Sequence, residues 1–195
     1  EKSVRQRNSL LKRQASAEQL FPWNVMIAQH GAYIYAQRWQ LVGQLQQQIN
    51  QLYSDIAGAS DDVNLHYSGQ VAPANYQSYL LRQLEQSAER DGILGYTSHG
   101  PHRDDLAITF NGRAADATAS RGEARSIIVA LKHIELEIVH AVTGIVPLLI
   151  LDDVFSELDT QRQLSLERLT NRYQTIITTT HLSDGSDTSI QRQLS

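Results

Sequence analysis

The chain has 195 residues, 41% of them hydrophobic and 19% charged, which is enough apolar matter for one domain or two small ones. Its 17 Lys+Arg against 21 Asp+Glu give a net charge of -4, which excludes a globally basic nucleic-acid coat but not a local basic patch. It has no cysteine, which excludes disulfides, thiolate zinc sites and a Cys nucleophile, and which fits a reducing, cytoplasmic setting.

The opening Glu1-Lys2-Ser3-Val4-Arg5 is polar and runs into a helical pattern, unlike a signal peptide. A first helix is expected over Val4 to Ala17, ending before Pro22. A longer helix follows, because Val25, Ala28, Ala32, Tyr35, Trp39, Val42, Leu45, Ile49, Leu52 and Ile56 recur at steps of three and four. The two would form a helical hairpin arm, weakened by Gly31 and Gly43. The glutamines at 44, 46, 47, 48 and 51 read as its solvated face. Gly58-Ala59-Ser60-Asp61 breaks the pattern, which divides the chain into a helical arm, 1–60, and an α/β lobe, 61–195.

After the break Val63, Leu65 and Tyr67 alternate with polar residues, as in a short strand. Ala74 to Glu89 predicts a helix. Leu106 to Phe110 predicts a strand that turns back through Asn111-Gly112. Residues 121 to 142 form an amphipathic helix with Ile127, Leu131, Ile134, Ile138 and Val142 on one side. Pro147 to Leu151 is wholly apolar and fits a strand buried on both faces. A helix over Gln161 to Asn171 and a strand over Thr175 to Thr179 complete a βαβ crossover and imply a parallel sheet. The longest apolar run, Gly144 to Leu151, falls far short of the roughly 20 residues of a membrane helix.

Five places are candidates for chemistry. Asp152 and Asp153 follow directly on the apolar strand, and the carboxyl ends of such strands are where ligands bind. One carboxylate there can serve Mg²⁺ and the other can orient water. Ser120-Arg121-Gly122-Glu123-Ala124-Arg125 opens the amphipathic helix. It reads equally as a capping box and as a phosphate site built from free N–H groups, a hydroxyl and two arginines. Thr180-His181 follows the last strand, where an imidazole beside a metal-bound phosphate can donate a hydrogen bond or position water. Ser156-Glu157-Leu158-Asp159 reads as a helix start. The run Tyr96 to Asp105 holds His99, His102, Asp104 and Asp105, which suit either a metal-dependent hydrolase or a rigid polar turn.

In this order, the helix-opening Ser-Arg-Gly-Glu, the strand ending Asp-Asp, Ser-Glu-Leu-Asp and the strand ending Thr-His resemble the C-terminal lobe of an ABC/SMC-like P-loop ATPase head. Gly100-Pro101-His102-Arg103-Asp104-Asp105, Leu151 to Asp159 and the early Arg7-Asn8-Ser9-Leu10-Leu11-Lys12 with Trp23 are similar to stretches of the RecF family of bacterial recombination mediators. The resemblance implies that Ser120 to Arg125 is a signature motif touching the γ-phosphate of ATP held by a second subunit. It implies that Asp152 is the Walker B aspartate serving Mg²⁺, with Asp153 where related ATPases carry a catalytic Glu. Ser156 to Asp159 would be the D-loop at a dimer contact, and His181 the switch histidine. It further implies ATP-dependent homodimers, slow hydrolysis, binding to single-stranded or gapped DNA, and work with RecO and RecR to load RecA in DNA repair, replication and the SOS response. None of Lys2, Lys12 and Lys132 follows a glycine, so the sequence contains no P-loop. The resemblance places that loop ahead of the helical region. It therefore implies that this chain is the C-terminal part, lacking the Walker A lobe, inactive alone, and with an unpaired sheet edge.

Arg5, Arg7, Lys12 and Arg13 form a basic cluster in the arm that suits DNA phosphates or a plain solvated face. Beside the hydrolase, a non-catalytic helical adaptor remains as an alternative function.

Overall fold

The computed structural model describes residues 1–69, 71–152, 159–170 and 173–178. Both opening helices differ from expectation at their ends. α1 covers Lys2–Lys12 and stops short of Ala17. Gln14 turns left-handed at φ 55°, and the N–H groups of Gln14 and Ala15 bond back to the carbonyls of Leu11 and Leu10 at 3.0 and 3.1 Å. A glutamine thus makes the helix-ending return that glycine usually makes. α2 covers Ala17–Ala57 with Pro22 inside it. The Ser16 N–H donates to Gln19 Oε1 at 3.0 Å, and Ser16 O accepts from the N–H groups of Gln19 and Leu20. The helix is therefore nucleated before the proline, whose missing N–H costs the one bond to the Glu18 carbonyl.

The chain forms two compact units, Glu1–Gln48 with Asp62–Ala114 and Ile49–Asp61 with Ala115–Ser195. The arm expected over residues 1–60 contributes to both.

In the first unit, β1 (Val63–Tyr67), β2 (Leu106–Phe110) and β3 (Arg113–Ala114) form an antiparallel sheet in that order. Its tight turn has Asn111 at φ 50° and Gly112 at φ 76°, the doubly left-handed hairpin that Asn-Gly predicts. β1 is an outer strand whose free edge is met by a side chain. Gln46 Nε2 donates to Val63 O at 3.2 Å and Gln46 Oε1 accepts from Leu65 N–H at 2.7 Å. Gln46 thus departs from the solvated face assigned to its neighbours. The helix expected over 74–89 is divided into a 3₁₀ turn (Pro73–Asn75), α3 (Tyr76–Gln86) and α4 (Ala88–Leu94), with the break at Ser87.

The core of this unit joins Ile27, Ala28 and Tyr35 of α2 to Tyr76, Leu80 and Leu84 of α3. Tyr35 and Tyr76 stack at 3.7 Å between centroids, and the Tyr35 hydroxyl donates to Val71 O at 2.8 Å. Gly31 is a packing position: a Cβ there would lie 2.8 Å from Leu80 Cδ2 and 3.3 Å from Pro101 Cδ. Trp39, expected in the apolar stripe of α2, is 43% exposed.

A buried polar knot ties α1 to the rest of the unit. Arg7 and Asp91 are both 0% exposed and pair at 2.6 Å. Arg7 also donates to Asn24 Oδ1 at 2.7 Å, Thr97 Oγ1 at 3.0 Å and Leu84 O at 2.9 Å. Asp91 accepts in addition from Ser87 Oγ and Ser98 N–H. Every nitrogen of the Arg7 guanidinium and both oxygens of Asp91 thus have a hydrogen-bond partner, the condition under which a buried pair is tolerated.

The second unit contains the last turns of α2, then α5 (Ala115–Thr118), α6 (Arg121–Thr143), β4 (Leu149–Asp152), α7 (Thr160–Thr170) and β5 (Thr175–Thr178). β4 and β5 pair in parallel, from Leu149 opposite Thr175 to Asp152 opposite Thr178, with α7 between them in sequence as the crossover requires. Ile49, Tyr53 and Ile56 are buried, as are Ile127, Ala130, Ile134, Leu151 and Leu166. One expectation fails here. β4 is covered on one face only, with Leu151 at 6% exposure but Ile150 at 64%, and Ile176 of β5 at 50%. The apolar side of α6 emerges at its end, where Val142 is 81% exposed. Among the described residues, nothing covers that second face.

Candidate phosphate-binding site

The first turn of α6 is built by reciprocal hydrogen bonds. Ser120 Oγ accepts from Glu123 N–H at 3.3 Å, and Glu123 Oε2 accepts from Ser120 N–H at 2.7 Å. Both readings of this segment are compatible with that geometry. The Ser120 hydroxyl accepts here and keeps its own proton to donate. The N–H groups of Arg121 and Gly122 are among the donors that every helix start leaves without an intrahelical partner. Ser120 and Arg121 are exposed, and Gly122 and Arg125 are half-buried. Oriented N–H groups, a hydroxyl and two guanidinium groups at the positive end of a 23-residue helix form a donor set suited to phosphate oxygens. Glu123 is engaged by the cap and supports this turn.

Asp152 ends β4, exposed, and accepts a hydrogen bond from the hydroxyl of Thr178, its partner on β5. That bond engages Oδ1 of a carboxylate exposed at the last residue of its strand, the kind of group that can serve a hydrated cation. Asp159 precedes α7 and caps it: its Oδ1 accepts from Arg162 N–H at 2.9 Å, and its Oδ2 pairs with the Arg162 guanidinium. Asp153, Ser156 and His181 lie outside the described residues, as do Glu157 and Leu158.

Tyr53 escaped the sequence reading. It is 0% exposed at the end of α2, and its hydroxyl donates to Asp61 Oδ2 at 3.4 Å. Burial pushes this phenol up to about 12, the Asp61 and Glu123 carboxylates push the same way, and Arg162 opposes them. The first turn of α6, through Glu123, and the first turn of α7, through Arg162, therefore share one electrostatic neighbourhood around Tyr53. The apolar stripe read along α2 runs through Leu52 and Ile56 and passes over this position.

The run Tyr96 to Asp105 does not assemble a metal centre. Ser98 Oγ and His99 Nδ1 bond to each other at 3.0 Å, and His102 Nε2 bonds to Thr97 O at 3.2 Å. Asp104 accepts from the Tyr67 hydroxyl at 2.6 Å, and Asp105 Oδ1 accepts from Leu106 N–H at 2.8 Å. Among the described residues no three His, Asp or Glu side chains are grouped to hold a metal ion. The hydrolase built on His99, His102, Asp104 and Asp105 loses its basis, and the run is the rigid polar turn. Partial withdrawal from water holds His102 below the ordinary histidine range; Arg103 acts in the same sense, and the Thr97 carbonyl against it. The basic cluster of α1 also loses a member, because Arg7 is 0% exposed and consumed by the buried knot.

No family model matches the chain. It is similar to the DNA replication and repair protein RecF of Thermosynechococcus vestitus, with 38% identity over 193 residues that cover 94% of this chain and 51% of that protein. It is 36% identical to RecF of Geobacter sulfurreducens over 196 residues, covering 95% of this chain and 53% of the relative. The RecF protein of Acaryochloris marina is 33% identical over 192 residues. Among solved structures, the recombination mediator protein RecF-ATP in the RecFOR pathway superposes with a TM-score of 0.78 at 30% identity, over 95% of this chain and 52% of that one. The RecF-ATPrS structure gives 0.77. The chain spans about half the length of the curated relatives it matches.

Proposed function

The chain belongs to the RecF family, matching its C-terminal half, and from that premise we propose that it supplies one side of an ATP site in a DNA repair and replication protein. The first turn of α6 would bind the γ-phosphate of ATP held by a second subunit. Ser120, Arg121, Gly122 and Arg125 contribute the donors, and Glu123 holds the turn. Asp152 would serve Mg²⁺, which neutralises phosphate oxygens when bound. Asp153 and His181 would stand at the water and the terminal phosphate, and Ser156 to Asp159 at the dimer contact. The observation that carries this reading is the combination of an anion-ready helix start with an exposed carboxylate at the carboxyl end of a parallel strand pair. Ready-made donors and an exposed carboxylate match the two ligand types, phosphate and cation, that ATP brings together.

In this reading the half of the relatives that the chain does not span carries the P-loop and covers the open face of β4 and β5. DNA, single-stranded or gapped, is the substrate bound, RecO and RecR are the partners, and the setting is the cytoplasm. The arm over residues 1–60 is the element we assign to positioning the lobe over 61–195. No helix among the described residues is long and apolar enough to cross a membrane.

The test joins this chain to the remaining half of a relative and measures dimerisation by light scattering with and without ATP. ATP is expected to produce dimers. Ser120→Arg is expected to abolish them while nucleotide binding to the other half persists. Dimers unchanged by Ser120→Arg would overturn the assignment.

A further inference from the structure

Lys12, Tyr96 and Arg103 form a cationic and aromatic patch on the first unit that the ATP site does not use. The Arg103 guanidinium lies 4.7 Å from the centroid of the Tyr96 ring. The stem of Lys12 runs over Gly95: a Cβ on that left-handed residue would lie 3.7 Å from both Cγ and Cε of Lys12. Lys12 and Arg103 are exposed, and neither has a carboxylate at ion-pair distance among the described residues. The nearby acids are otherwise engaged. Asp91 is buried against Arg7, Asp104 accepts from Tyr67, and Asp105 folds onto its own backbone. Tyr96 remains 41% exposed.

The base of the patch is rigid. Thr97 is 1% exposed; its hydroxyl lies 3.0 Å from Arg7 Nη1 and 2.7 Å from Asn8 Oδ1, and its N–H donates to Asn8 at 2.8 Å. Binding groups mounted on such a base lose little freedom when a ligand arrives.

We propose that this patch binds single-stranded DNA, with Lys12 and Arg103 meeting backbone phosphates and a base stacking at the Tyr96–Arg103 pair. The proposal rests on the DNA-binding reading given above. Single-stranded rather than duplex DNA fits because an exposed ring offers a stacking platform that only unstacked bases can use. A guanidinium lying on the ring extends that platform and adds charge.

The test is fluorescence anisotropy across a salt series. It uses an oligothymidylate of about 20 nucleotides and a duplex of equal length, with this chain and its Tyr96→Leu, Arg103→Gln and Lys12→Gln variants. Tyr96→Leu is expected to weaken single-strand binding about 10-fold and to change duplex binding less than about 2-fold. Arg103→Gln and Lys12→Gln are each expected to flatten the slope of log affinity against log salt by about 0.7 on the single strand. Wild-type binding matched by all three variants would overturn the patch and leave the DNA reading standing. Absence of wild-type binding to either nucleic acid would overturn both. Equal losses on single and double strands in Tyr96→Leu would overturn the stacking. All three side chains are exposed, and unchanged circular-dichroism melting checks that each variant is folded.

Discussion

Asp91→Ala tests how much of the first unit depends on its buried charges. Removing that carboxylate leaves the Arg7 guanidinium without a counter-charge at 0% exposure, and strips Ser87 Oγ and Ser98 N–H of their acceptor. Breaking one side of a buried pair costs about 3–5 kcal/mol, against a total of about 5–15 kcal/mol for a domain. With a urea dependence near 2 kcal/mol per molar, the unfolding midpoint should fall by about 2 M. Both tryptophans of the chain, Trp23 and Trp39, lie in the first unit, so their fluorescence follows this unit alone. Replacing both partners, Arg7→Met with Asp91→Leu, removes the stranded charge and should recover much of the loss. A cost under about 1 kcal/mol for Asp91→Ala, or a double variant as unstable as the sum of the two singles, would refute the reasoning.

Two glycines of α2 should respond in opposite senses. Gly43 has nothing within 4 Å of a built Cβ, so Gly43→Ala should stabilise by about 1 kcal/mol through helix propensity. Gly31→Ala places a methyl 2.8 Å from Leu80 Cδ2 and should cost about 1–3 kcal/mol despite the same propensity gain; melting of the two variants separates the cases. Alkaline pH should weaken the fold. Tyr53 and Tyr67 are pushed up to about 12, Tyr67 by burial first and then by the Asp104 hydrogen bond, and burial raises Tyr76 and Tyr35 as well. The folded state keeps these phenols neutral where the unfolded chain ionises near 10, so their contribution is full below about pH 10 and lost as pH climbs through about 12. Urea midpoints that stay level from about pH 10 to 12 would contradict this.

Local chemistry that acts within a few residues was legible. Asn111-Gly112 demanded a two-residue left-handed turn, and Ser120 with Glu123 demanded a helix start; both stand where the residues placed them. The parallel pairing of β4 and β5 followed from two apolar strands around a helix. Pro22 misled because a breaker was weighed without the start signal before it, Ser16 and Gln19, which commits the helix first. The end of α1 at Lys12 carries no glycine, so nothing in the residue types announced it. Burial of Arg7 depends on Asp91 and Thr97, far along the chain, and a single arginine on a helix does not disclose a distant partner. For the same reason the ligand-like His and Asp residues of the 96–105 run could not be sorted by spacing: their hydrogen-bond partners lie on neighbouring backbone, on the Ser98 hydroxyl and on Tyr67. The candidate residues were legible only as separate pieces along the chain, and Tyr53, which feels both Glu123 and Arg162, had no part in that reading.

The amide of Gln46 replaces a fourth strand at residues 63 and 65. A strand would guard the sheet by running beside it; this guard instead turns with a helix, by about 100° for every residue of register. Adding or deleting one residue between Pro22 and Gln46 would swing the amide out of reach and leave the rim of the sheet free to recruit another chain. Length in the long helix and solitude of the sheet are therefore one constraint, and insertions tolerated in an ordinary exposed helix should provoke self-association here.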